Sequence, residues 1–167
     1  MNCRWTLLLV AILPVACGNS PTTHFYTLKA VDGARSAGAL HTMPIGGPGN
    51  RIEVSDQDRW AAPLNELIRR ALTEDLRERL PPGSVLAAGD TMPATARTIM
   101  LNVQQFMADG SGRVELDADW AIHQHNTKSA TRHAAIEVRT TGQGGDAVAA
   151  AMSEALAQLA DRITADL

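Results

Sequence analysis

Cysteine is nearly absent from this sequence. Cys3 and Cys17 are the only two, too few for a four-thiolate zinc site or for the several bridges that staple small secreted domains. Lysine is as scarce, with only Lys29 and Lys128. The formal net charge is -3, and no run of Lys or Arg forms a stripe, so nucleic-acid binding has no electrostatic footprint. Aromatic residues make up 4% of the chain. Trp60 and Trp120 therefore stand out as core or interface positions, together with Pro63 and Leu64 just after the first of them. A membrane-spanning run is missing: the apolar stretch from Leu7 to Ala16 is about half the roughly 20 residues a bilayer requires. No G-x-S-x-G elbow occurs, and the "GGPG" at Gly46 to Gly49 is not followed by GK[ST]. Serine-hydrolase chemistry and a phosphate cradle thus lack their motifs.

The short apolar run has its own meaning. It follows a start whose only side-chain cation is Arg4, and it ends in the small residues Val15 and Ala16 before Cys17. That layout is a secretory signal peptide. Cleavage before Cys17 removes Cys3 and leaves Cys17 as the first residue, with no partner for a disulfide. The segment resembles a bacterial lipoprotein signal, in which the cysteine sulfur receives a diacylglycerol; Pro14 stands where such signals usually have Leu. Two or three acyl chains on one residue give stable anchoring, whereas one gives only marginal binding. Gly18 follows the cysteine in place of the Asp that resembles an inner-membrane retention signal, which points to the outer membrane. The expected organisation is a signal peptide over 1–16, a lipidated tether over 17–23 and one periplasmic domain over 24–167. At that size roughly two thirds of the unfolded surface can be buried.

Periodicity sketches the domain. His24 to Leu28 reads as a strand, Asp32 to Asn50 as a Gly/Ala/Pro-rich loop, and Arg51 to Val54 as a short strand. Trp60, Leu64, Leu67, Ile68, Ala71, Leu72, Leu76 and Leu80 recur at three- and four-residue steps, one apolar helix stripe headed by Trp60. Asp56 or Asp58 is expected to cap its lead-in, and Pro81-Pro82-Gly83 to stop it. Arg69, Arg70, Asp75, Arg77, Glu78 and Arg79 are expected to form a solvated face. "RTIMLNVQQFMAD" reads as a strand covered on much of both faces, and Asp109 to Gly112 as a hairpin turn. "RVELDADWAIHQH" alternates, with Val114, Leu116, Ala118, Trp120 and Ile122 inward and Arg113, Glu115, Asp117, Asp119 and His123 outward. A turn near Asn126 to Ser129 leads to the strand "TRHAAIEVRTT", and a last amphipathic helix runs from Ala147 to Leu167. The fold class is α+β: a mostly antiparallel sheet with two long amphipathic helices packed on it as a layered sandwich.

Two groupings could carry chemistry. His123 and His125 share a strand face, and a tight hairpin would bring His133 opposite them, within reach of a zinc or copper ion. The charges on that face argue instead for solvation, so no metal site is expected. Glu115, Asp117 and Asp119 line one face as acid pairs do in glycosidases, but alternating acids on an exposed strand need no such role. No catalytic residue, metal or cofactor is therefore assigned, and the chain reads as a non-enzyme.

Several stretches together resemble the PqiC-type (YmbA-like) lipoproteins, auxiliary subunits of ABC-type and MCE-type transport systems. They are the lipoprotein-like start, "FYTL", "NRIEVSDQDRWAAPLNELIRRALTEDL" with its Asp58-Arg59-Trp60 run, "LNVQQFMADGSGRVELDADWAI" and the final helix. Family members usually carry a longer, proline-containing extended piece before "NRIEV", where this chain shows only the loop. The resemblance implies an outer-membrane lipoprotein on the periplasmic side that docks an MCE-domain protein and inner-membrane transporter subunits in lipid transport. It implies no catalytic residues and leaves a homo-oligomer open. The different reading is a lipoprotein regulator of a cell-wall synthesising enzyme.

Overall fold

The computed structural model describes residues 23–26, 28, 41–46, 52–86, 90–124, 127–128 and 130–167. Its elements run β1 (His24–Tyr26), β2 (His41–Gly46), β3 (Ile52–Trp60), α1 (Leu64–Arg79), β4 (Arg97–Asp109), β5 (Arg113–Gln124), β6 (Thr127–Lys128), β7 (Arg132–Arg139) and α2 (Gly145–Ala165). The strands form one 7-stranded sheet in the order β1-β3-β2-β4-β5-β6, with β7 also paired to β5. The pairs β2–β3, β4–β5, β5–β6 and β5–β7 are antiparallel; β1–β3 and β2–β4 are parallel. The α+β class with a mostly antiparallel sheet and two helices holds.

Hairpin β4–β5 organises the sheet. Asp109 sits in its turn and accepts hydrogen bonds from the Ser111 and Arg113 backbone N–H groups, both at 2.9 Å. The Ser111 hydroxyl and the Arg113 guanidinium also donate to it. Gly112 closes the turn at φ +80, in the left-handed region that favours glycine, and a Cβ there would stand 2.9 Å from Thr140 Oγ1. The Gly112 carbonyl accepts the Thr140 N–H at 2.8 Å, so the turn is tied to the end of β7. β5 then alternates as its sequence indicates: Val114, Leu116, Ala118 and Trp120 are buried, and Arg113, Glu115, Asp117 and Asp119 are half-buried.

α2 lies on that apolar row. Alanines at 149, 151, 155, 157 and 160 are buried with Met152, Leu156, Leu159 and Ile163. A helix apolar over so much of its circumference needs cover on more than one side. β5 and β7 supply one cover and α1 the other. At its start, Gly145 packs so closely on the Tyr26 ring that a Cβ would overlap it, which draws β1 to the helix N-terminus. At its end, Trp120 Nε1 donates to Asp166 Oδ2 at 3.1 Å, and the Arg97 guanidinium donates to the Leu167 carbonyl.

Several expectations change. The stretch read as loop contains β2, with Pro44 inside it opposite Val54 next to a register shift; proline is tolerated where the ladder is already irregular. The short strand at 51–54 runs on to Trp60, since "IEVSDQDRW" pairs with β1 and β2. Asp56 and Asp58 are therefore strand residues, not helix caps, and Trp60 ends a strand instead of heading a helix. α1 starts without a side-chain cap; the Pro63 carbonyl takes the Glu66 and Leu67 N–H groups at 3.0 and 3.1 Å. β4 is not covered on both faces, because only Ala108 of it is buried. The supposed turn near Asn126 to Ser129 contains β6, and residues 125, 126 and 129 lie outside the described set.

The charged side of α1 is not wholly solvated either. Asp75 is 0% exposed. Arg79 donates to the Asp75 carbonyl at 2.9 Å, to Asp161 Oδ1 at 2.5 Å and to the Ala157 carbonyl at 3.2 Å, which clamps α1 to α2. The hydrogen bond to Asp161 raises the Arg79 pKa above its ordinary value, so the guanidinium stays charged.

Candidate functional site

The sheet face turned away from α2 holds the polar residues singled out in the sequence. Glu115, Asp117 and Asp119 project there from alternate positions of β5. Their neighbours across the ladder are Met107, Gln105 and Asn102 on β4 and Glu137, Ala135 and His133 on β7. A bulge between Val103 and Gln105 inserts one extra residue into β4, which lets two amides reach the acids. Gln104 donates to Asp119 at 2.6 Å and Gln105 to Glu115 at 2.8 Å. His133 Nδ1 is 3.0 Å from Asp119 Oδ1 and 3.5 Å from Asp117 Oδ1. At the turn end, Arg113 meets Asp109 at 2.9 Å, with Glu115 and Glu137 within 4 Å. Asp109 is held well below the usual carboxylate range, chiefly by the Arg113 backbone N–H and next by the Ser111 hydroxyl. On this open face Glu115 and Asp119 are tied to amides and an imidazole, whereas Asp117 Oδ1 has no hydrogen-bond partner.

His123 and His133 do not converge. His133 stands opposite Asp119, whereas His123 stands opposite Lys128 and Thr98. Four residues of strand, about 13 Å, separate those two registers. The expectation that His133 could face His123 fails because β6 takes the place beside His123. His125 lies outside the described residues, and among the described ones no group of three His, Cys, Asp or Glu is arranged to hold a metal ion. His123 instead borders an open depression of about 310 Å³ with Met92, Pro93, Ala94, Ala96 and Thr98. That volume is at the lower end for ligand pockets, and among the described residues that line it His123 alone is ionisable.

The remaining candidates separate clearly. Trp60 and Trp120 are 2% and 4% exposed and belong to the buried apolar cluster. Pro63 and Leu64 are half-buried at the start of α1. Cys17 and residues 1–16, expected to be a signal peptide, fall outside the described residues. Among the described residues, no helix is long and apolar enough to cross a membrane. Sequence reasoning missed the Asp75–Arg79–Asp161 clamp and the anchoring role of Asp109.

A layered α+β domain with this topology has counterparts. A crystal structure described only as that of an uncharacterized protein superposes with a TM-score of 0.73, at 18% identity, covering 87% of this chain and 99% of that one. The crystal structure of XCC0632 from Xanthomonas campestris, assigned to the DUF330 family model, superposes at 0.55, again at 18% identity, over 85% of this chain and 83% of that one. These likenesses concern the fold. No curated protein matches the chain in sequence. The family model described as "ABC-type transport auxiliary lipoprotein component" matches residues 42–164. The chain belongs to that family, which bears out the resemblance to PqiC-type lipoproteins. Its members are transport-associated lipoproteins, not a known class of enzyme.

Proposed function

We propose that this chain is an outer-membrane lipoprotein, anchored through acyl chains on Cys17, that docks an MCE-domain protein and inner-membrane subunits of an ABC-type system moving lipids across the periplasm. The observation that carries this reading is the family match over residues 42–164 in a chain whose short apolar leader ends at a lone cysteine. Residues 1–16 are the leader, 17–23 the tether and 24–167 the periplasmic domain. Gly18 favours the outer membrane over retention in the inner one. The role is docking, not catalysis: Glu115 and Asp119 of β5 are engaged by Gln105, Gln104 and His133, and the two described histidines of that region stand apart. No metal or cofactor is required for it.

The test is crosslinking in intact cells followed by affinity purification of the tagged full chain. MCE-domain and transporter subunits in the crosslinked material support the proposal. Peptidoglycan synthases in their place would move the protein to the regulation of cell-wall synthesis.

A further inference from the structure

The two edges of the sheet differ. β1, at one edge, has 3 residues, too few to template another strand. β7 has 8 residues and keeps register with β5 from Arg113↔Arg139 to Trp120↔Arg132 without a shift. Among the described residues its only strand partner is β5. Proteins usually blunt a long regular edge with charged side chains, above all lysine, or with proline or a bulge; "RHAAIEVR" has no lysine, proline or bulge, and Glu137 is its one formal charge between the terminal arginines. The outward side chains are accessible: His133 is 56% and Glu137 50% exposed, and Ala135 is exposed between them.

We infer that the outer edge of β7 pairs antiparallel with β7 of a second copy of this chain, about a twofold axis at Ala135. The register follows from charge, with the His133 imidazole in its protonated form, in which both ring nitrogens donate. Directly opposite residues on antiparallel strands share a face, so the axis falls beside a residue and not between two. Centring on Ala135 sets His133 opposite Glu137 of the second copy, twice, with the small Ala135 facing itself. Centring on Ile136 sets His133 opposite Arg139, and centring on Glu137 sets two carboxylates face to face. Centring on Ala134 shortens the overlap and removes the charge pairing. His133 Nδ1 already faces Asp119 at 3.0 Å, so the contact across the new boundary falls to Nε2. On the buried side, Ala134 and Ile136 become opposite neighbours and extend the apolar row of each copy.

The test uses the purified full chain under mild oxidation, with the parent chain and its own cysteines as the baseline. Opposite Cα atoms in an antiparallel pair are about 4.5–5.5 Å apart, within disulfide range. Two copies of residue 137 would be about 13 Å or more apart, out of range. Ala135→Cys should therefore give a disulfide-linked dimer well above the baseline, and Glu137→Cys should not. In the Ala135→Cys background, Glu137→Arg should reduce the dimer several-fold and His133→Glu added to it should restore it. Dimer no greater than baseline for Ala135→Cys, equal crosslinking at 135 and 137, or no rescue by the charge swap would overturn the inference.

Discussion

On the helix-covered side of β5, Val114, Leu116, Ala118 and Trp120 are 0–4% exposed. On its other side Arg113, Glu115, Asp117 and Asp119 all keep part of their surface in water. One strand thus serves two environments, and its period of two residues is what separates them. The buried side is specified by volume, because α2 brings alanines and leucines against it and leaves little slack. The open side is specified by hydrogen bonds that water could replace. Substitution should accordingly be severe on the first and mild on the second.

The largest effect is expected on the buried side. Trp120→Ala removes a packed indole and leaves Asp166 without its Nε1–H donor; Trp60→Ala empties the junction of β3 with α1. Each should cost about 3–5 kcal/mol, the range for aromatic truncation in a core, read as a fall in the denaturant midpoint. A loss under about 1 kcal/mol at either site would mean that the indole is not packed as described.

An intermediate effect belongs to the turn that joins the two faces. Asp109→Asn keeps the shape but weakens bonds that favour the charged form, at about 1–2 kcal/mol near neutral pH. The Asp109 pKa lies below its unfolded value because the Arg113 and Ser111 donors hold its anion. Its contribution is therefore complete above about pH 4 and is lost as the pH falls toward the folded pKa. The stability gap between the parent chain and Asp109→Asn should narrow on acidification; a gap that stays constant from pH 7 to pH 2 would remove the charge from the explanation.

The smallest effect is expected on the open face. Asp117→Asn should change stability by no more than about 0.5 kcal/mol, because the Asp117 Oδ1 makes no hydrogen bond and its contact with His133 is 3.5 Å long. A large loss there would show that the outer face is as tightly specified as the inner one.

This contrast also sets what could be read from the sequence. The inward row of β5 was legible because its alternation is uninterrupted from Val114 to Trp120. α2 was legible to within two residues of its start because Gly142 to Asp146 breaks the chain before a sustained apolar stripe. Asp75 was misassigned to solvent on residue type alone. Its position was informative: Leu64, Ile68, Leu72, Asp75 and Arg79 follow one another at three- and four-residue steps, which puts the acid on the buried stripe beside its arginine. β2 was hidden by Gly and Pro, since its place between β3 and β4 comes from pairing at long range and not from local propensity. Trp60 was read as helical because a residue four before Leu64 fits the helix period as well as it fits the end of a strand. The register that sets His133 against Asp119 depends on β6, a two-residue strand with no periodic signal.

The central proposal is that lipid on Cys17 holds this domain at a membrane. Metabolic labelling with a fatty-acid probe, followed by membrane fractionation of the full chain and of Cys17→Ser, tests it most directly. Label on the parent chain in the membrane fraction, with none on Cys17→Ser, is the predicted result. Equal labelling of the two chains would contradict the anchor.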